Sequence, residues 1–215
     1  MIVPAVVVLV GVGVFFLLNS RSDSGTAPPQ TPPTNVPKFD FQIAKAEAVP
    51  TAPGANPKKL QGPADSAAKS IGSTLSNMYR WAFLDPSNRS DGSYDEVWSY
   101  FADPLAAKAQ QDAATLTLGP NAGDEFSGVD PGKGALQVRV LMDKEGKPST
   151  AVALVKFTAH ATGTDNSATT LVSDGQYFLQ PASGGWRVVG YKVSRKDHGK
   201  SATSPSSTPT TGSTP

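Results

Sequence analysis

The stretch GGWRVVGYKVSR, Gly184 to Arg195, is the last of four runs in which apolar and polar side chains alternate, and it decides the fold class. Alternation of this kind marks a strand with one covered face. The earlier runs are Ala135 to Met142, Thr150 to Thr162 and Thr169 to Gln180, and the connections DKEGKP, GTDNSA and PASGG are short turn-forming segments. Connections of that length join antiparallel neighbours, so the spacing predicts a four-stranded meander. Phe126 to Val129 adds a short edge strand.

Upstream the period changes from two to between three and four. Asp65 is placed to cap a helix whose apolar positions are Ala68, Ile71, Leu75, Met78, Tyr79 and Ala82 and which ends near Asp85-Pro86. After the SNRSDG loop, Val97, Trp98 and Phe101 share one side of a second helix over Tyr94 to Phe101. A third helix runs from Asp103-Pro104 to Gly119, with proline at its start and glycine after its end. Helices grouped before strands predict an α+β domain, three N-terminal helices packed on one face of a curved four-stranded antiparallel sheet.

Register follows from the turn centres. A turn about Asp165 sets Lys156 opposite Asp174, and a turn about Ser183 sets Asp174 opposite Lys192. The three would form a charge row across three strands, each pair worth about 0.2 to 1 kcal/mol. The opposite face would carry Ala153, Val155, Phe157, Tyr177, Leu179, Val189, Tyr191 and Val193, the side the helices cover. The charged face also carries Val152, Leu154, Phe178, Trp186 and Val188, more apolar surface than a lone monomer shows to water. Leu154, Lys156, Asp174, Phe178, Trp186, Val188 and Lys192 are therefore the candidate interface, to be covered by a second subunit, another protein or the Phe39 segment. Tyr79, Phe157, Tyr177 and Tyr191 are the candidates for lining a cavity between helices and sheet.

The ends of the chain read differently. Met1 to Ser20 carries no charged side chain, and IVPAVVVLVGVGVFFLL, Ile2 to Leu18, is close to the shortest length that crosses a bilayer. A cleaved secretory signal is the rival reading, but a basic leading segment and a small-x-small cleavage site are both lacking. The expectation is a single-pass signal-anchor in the cell membrane, touching lipid through residues 2–18, with the C-terminal part extracytoplasmic. Residues 21–63 hold nine prolines and read as an extended spacer reaching on the order of 100 Å. Within it Phe39-Asp-Phe41-Gln-Ile43 alternates as a strand does and is a candidate for docking on the domain or on a partner's sheet edge. Residues 201–215 consist of Ser, Thr, Pro, Gly and Ala, which cannot bury a core. The predicted organisation is 1–20 anchor, 21–63 linker, 64–197 folded domain and 198–215 tail.

Composition narrows the chemistry. The 215 residues carry a formal charge of +1, no cysteine and two histidines, His160 and His198. Thiolate metal sites, disulfides and cysteine nucleophiles are excluded, and two lone histidines do not make a standard zinc site. GKG at 132 to 134 lacks the strand and helix of a phosphate loop, and Asp95-Glu96 and Asp124-Glu125 lack calcium-loop spacing. From 64 to 130 the charge is −6 and from 131 to 197 it is +4, an acidic helical layer on a basic sheet layer suited to orienting a partner. With no exposed aromatic stripe beside the basic residues, nucleic acid is not an expected partner.

This element order, with its aromatic-led GWRV strand after a Gly-rich turn, resembles the nuclear-transport-factor-2-like superfamily, the cone-shaped fold of SnoaL-like proteins and ketosteroid isomerases. With the N-terminal apolar segment and proline-rich spacer, the whole is similar to actinobacterial Mce-associated membrane proteins and to bitopic assembly subunits of conjugative type IV secretion channels. The resemblance implies an extracytoplasmic, non-catalytic accessory subunit of an envelope transport or secretion complex, with a membrane or envelope protein as partner. The same superfamily implies an alternative, a small-molecule binding, isomerase or hydrolase domain using the cavity between helices and sheet. An enzyme would need a convergent acid, base and oxyanion donor. The pieces here are His160, Asp174, Tyr177 and Tyr191, and the register puts the first two on one face and the tyrosines on the other. No catalytic residue, cofactor or metal is assigned.

Overall fold

A computed structural model describes residues 30–199. The predicted anchor and the tail after residue 200 lie outside the described residues, and among those described no helix is long and apolar enough to cross a membrane. The chain folds as α+β, but the sheet corrects the expectation of four antiparallel strands. It has five, in the order β1 (Gln42–Pro50), β2 (Phe126–Met142), β3 (Pro148–Gly163), β4 (Ala168–Ala182), β5 (Gly185–Gly199). β2 to β5 form the antiparallel meander, and β1 pairs parallel with β2, from Gln42 opposite Ala135 to Pro50 opposite Met142. A parallel neighbour needs a long crossover, and here the whole helical layer between β1 and β2 supplies it.

The helices begin earlier than the sequence suggests. α1 (Pro57–Tyr79) is capped by Asn56, whose side-chain oxygen accepts from the Lys58 amide at 3.0 Å, with Pro57 at the first turn, where a missing N–H costs nothing. It continues into a π-helical turn, Arg80–Leu84, whose wider winding buries Trp81, Ala82, Phe83 and Leu84 in succession. Asp85 then caps α2 (Pro86–Asp91), so most of the predicted SNRSDG loop is helical, and Gly92 ends it in the left-handed conformation. The short α3 (Asp95–Trp98), α4 (Asp103–Gln111), α5 (Ala113–Leu116) and α6 (Ala122–Glu125) complete the layer.

Residues 30–63, predicted to be spacer, belong to the domain. Besides β1 and the first turns of α1, they contribute a strap in which Val36, Phe39 and Phe41 are buried. Arg80 donates to the carbonyls of Pro37 and Val36, at 3.1 and 3.2 Å, and Trp81 Nε1 and the Tyr100 hydroxyl both donate to the Gln30 carbonyl. Strap carbonyls that proline-rich sequence leaves without ladder partners are thus satisfied by side chains of the helical layer.

Register is as the turn centres place it between β3 and β4, with Lys156 opposite Asp174. Between β4 and β5 it is not. The hairpin turns on Ser183-Gly184, setting Leu179 opposite Val188, and an irregularity then sets Phe178 opposite Gly190, leaving Val189 as the extra residue. Trp186 and Val188 consequently face the helices, 5% and 0% exposed, and Asp174 meets Ser194 while Lys192 meets Gln176.

Candidate functional site

The space between helices and sheet is the first place to look, since three of the four predicted cavity residues meet there. Tyr79 on α1, Phe157 on β3 and Tyr177 on β4 are all fully buried. Two residues of the strap, Phe39 and Phe41, fill the volume between them and are 7% and 6% exposed. The Phe39 ring lies edge-on to Phe41 and Phe157, at centroid separations of 4.8 and 5.1 Å, and Phe41 lies edge-on to Tyr79 at 5.0 Å. Edge-to-face packing at these distances adds to the area each ring buries.

The polar atoms of this core are spent on one another. The Tyr79 hydroxyl lies 3.1 Å from both the Ser173 and Tyr177 hydroxyls. Burial pushes the Tyr79 phenol up to about 12 and raises Tyr177 well above the ordinary tyrosine value, so both are neutral. Among the described residues no buried side-chain nitrogen or oxygen lacks a partner. Tyr191, the fourth, stands at the rim, donating to the Asp112 carboxylate at 2.6 Å beside Phe101. Burial of its ring, and then that contact, raise its phenol, while Lys108, 2.7 Å away, and then Tyr191 hold the Asp112 carboxyl below its usual range.

The outer face of the sheet is a different surface. Leu154 is 48% exposed, the more exposed of the two large hydrophobic side chains that stand open among the described residues, with half-buried Val152 next to it on β3 and half-buried Phe178 on β4. Phe178 lies over Gly190 of β5, where an added Cβ would come within 3.3 Å of its ring. Beside this apolar centre stand Lys156 and Lys192, and Lys196 lies farther along β5; all three are exposed, and their side chains make no hydrogen bond or ion pair among the described residues. Glu47, by contrast, is held by Lys45 at 3.0 Å and Arg139 at 3.3 Å, and these cations, Lys45 first, lower its carboxyl.

Of the seven predicted interface residues, Leu154, Lys156, Asp174, Phe178 and Lys192 share this face; Trp186 and Val188 do not. His160 sits on the same face in line with Asp130 and Thr170, remote from the core tyrosines. Among the described residues no group of His, Asp and Glu side chains could hold a metal ion.

Two open grooves mark the helical layer. One of about 470 Å³ runs along Leu118 to Asn121 and reaches Arg195, but that guanidinium is occupied, donating to Asp197 and to the carbonyls of Thr117 and Ala114. The other, about 420 Å³, lies between α3 and the chain at Pro120 and has Trp98 and Tyr94 in its wall with Asp95 at its edge. The sequence offered the Phe39-Phe41 alternation as a signal for the strap, but the second groove joins residues far apart in the chain and had no signal. Comparison of the chain with protein-family models, with curated proteins and with solved structures finds no match.

Proposed function

We propose that this domain is a non-catalytic interaction module on a nuclear-transport-factor-2-like scaffold, serving as a membrane-anchored accessory subunit of an envelope transport or secretion assembly. The observation that carries the reading is the contrast between the two sides of the sheet. The inner side is filled by Phe39 and Phe41, in the volume an isomerase or small-molecule binder would need, and its hydroxyls are satisfied internally. The outer side presents an exposed leucine beside Lys156 and Lys192, whose ammonium groups make no ion pair among the described residues, the pattern of a surface that meets a partner. If residues 2–18 span the membrane, about eleven residues separate them from Gln30, a reach of at most about 40 Å. The domain then works beside the membrane, not at the end of a long spacer.

The test is cross-linking of the full chain in native membranes followed by affinity purification, comparing the natural sequence with Leu154→Glu. Defined membrane or envelope partners that are lost in the variant would support the reading. Unchanged recovery with Leu154→Glu, or recovery of a tightly bound small molecule in place of proteins, would overturn it.

A further inference from the structure

Resting on that reading, we propose that the partner of the sheet face is a second copy of this chain, docked head to tail. Leu154 of one protomer enters the groove beside Trp98 of the next, and its lysines meet the acidic rim of that groove. The groove has room for an apolar side chain, about 420 Å³, and an apolar wall in Trp98, Tyr94 and Pro120. It is preformed. Gly92 at φ +63° packs so closely on the Pro120 carbonyl that a Cβ there would lie 2.5 Å from the oxygen, and the Tyr94 hydroxyl donates to the Gly119 carbonyl at 2.9 Å. Such a wall costs little ordering on binding.

Charge selects this pairing over others. Asp95 at the groove, with Asp91 and Glu96 beside it, carries carboxylates that make no hydrogen bond or ion pair among the described residues. On the sheet, Lys192 lies in the same cross-strand row as Leu154, two strands away through Gln176, and Lys156 is its neighbour on β3. Two strand spacings are about 10 Å, so cations and leucine are presented as one patch. Asp174 shares this face opposite Lys156, but with Lys156 and Lys192 the patch is net positive, so a two-fold contact would set like charge against like. The face and the groove lie on opposite layers of one domain, so a copy cannot satisfy its own groove. Each protomer would offer one of each, and such heterologous contacts repeat into a ring or a filament.

The lack of native cysteine makes the test direct. Ser93 and Leu154 are both exposed, so Ser93→Cys and Leu154→Cys are expected to leave the fold intact. The full chain in membranes, carrying both substitutions and mildly oxidised, should give a ladder of disulfide-linked dimers, trimers and higher species, while each single variant gives none. Adding Asp95→Lys should reduce the ladder about tenfold, and adding Lys192→Asp to that should restore it. A dimer from Leu154→Cys alone would show a two-fold face-to-face contact and overturn the proposal, as would a double variant that stays monomeric. If the ladder fails while Leu154→Glu still releases other envelope proteins, self-docking is wrong and the interaction module stands. If the ladder fails and Leu154→Glu releases nothing, both are wrong.

Discussion

Gly134→Ala tests whether the strap is part of the core or merely lies against it. Gly134 sits on β2 where Phe39 crosses it, and an alanine Cβ there would be 2.3 Å from Phe39 Cζ and 2.8 Å from both Phe39 Cε2 and Phe41 Cδ1. Both rings are hemmed in, Phe39 by Phe41 and Phe157 and Phe41 by Tyr79, so the clash is relieved only by moving Phe39 out. Removing a buried phenylalanine costs about 3 to 5 kcal/mol, and an expelled ring forfeits most of that, about 2 to 4 kcal/mol. Phe39→Ala should cost about 3 to 4 kcal/mol by itself. The double variant removes the ring that the new methyl would strike hardest and leaves a void into which Phe41, also 2.8 Å from that methyl, can shift, so it should cost scarcely more than Phe39→Ala alone. The two substitutions are then coupled by about 2 kcal/mol or more. Urea unfolding followed by fluorescence of Trp81, Trp98 and Trp186 reads this directly. With a slope of about 2 kcal/mol per molar, each single variant lowers the midpoint by about 1 to 2 M. If Gly134→Ala costs less than about 1 kcal/mol and adds to Phe39→Ala, the strap is not core and the filled-cavity argument fails with it.

Alkali should unfold the domain between about pH 10 and 12. The folded phenols of Tyr79, at about 12, and Tyr177 stand above the unfolded value of 10.0, so the folded state keeps protons that the unfolded state releases. The contribution of these two phenols is constant below pH 10 and falls as pH rises through this window, by on the order of 3 kcal/mol from Tyr79 alone, and a pH titration of the urea midpoint that stays level from pH 9 to 12 would refute it. Trp186→Ala should act through stability, costing about 3 to 5 kcal/mol. Leu154→Glu should stay within about 0.5 kcal/mol of the natural sequence. Thermal melts of the two variants separate these outcomes, and equal losses would mean that the sheet face is covered within the monomer.

How much of this the sequence showed depends on the period of each segment. β2 to β5 were legible because one face of each is covered and polar residues mark the other, and the GTDNSA turn fixed Lys156 opposite Asp174. β5 misled because a bulge has no signature in an alternating pattern. The single extra residue, Val189, reverses which face Trp186 and Val188 occupy. The N-terminal boundary was missed for a different reason. Nine prolines within residues 21–63 read as spacer, yet Pro50 ends an edge strand, Pro57 opens a helix and Pro37 leaves a carbonyl for Arg80, while Pro63 sits inside α1, where it costs an intrahelical hydrogen bond that the buried face of the helix offsets. Proline density here excludes neither regular structure nor burial. The groove beside Trp98 was invisible because Tyr94, Trp98 and Pro120 converge only through the turns between α2 and α6.

The strap also decides how force and position pass into the domain. β1 pairs with the edge of the meander that β2 would otherwise leave open, and Phe39 and Phe41 lock the segment just ahead of it into the core. At its start the Gln30 carbonyl is held by Trp81 and Tyr100, the latter two residues from Ala102, whose amide donates to the Val188 carbonyl of β5. One segment is therefore tied to the edge of the meander through β1 and to the helical residues that lead into the contact with β5. A pull on the strap at Gln30 acts on core aromatics, so from Gln30 onward the chain is held as firmly as the core itself. If copies of the domain dock head to tail as proposed, a strap packed into the core in place of a cavity favours that assembly, because an orientational error at each joint would accumulate along a ring or filament.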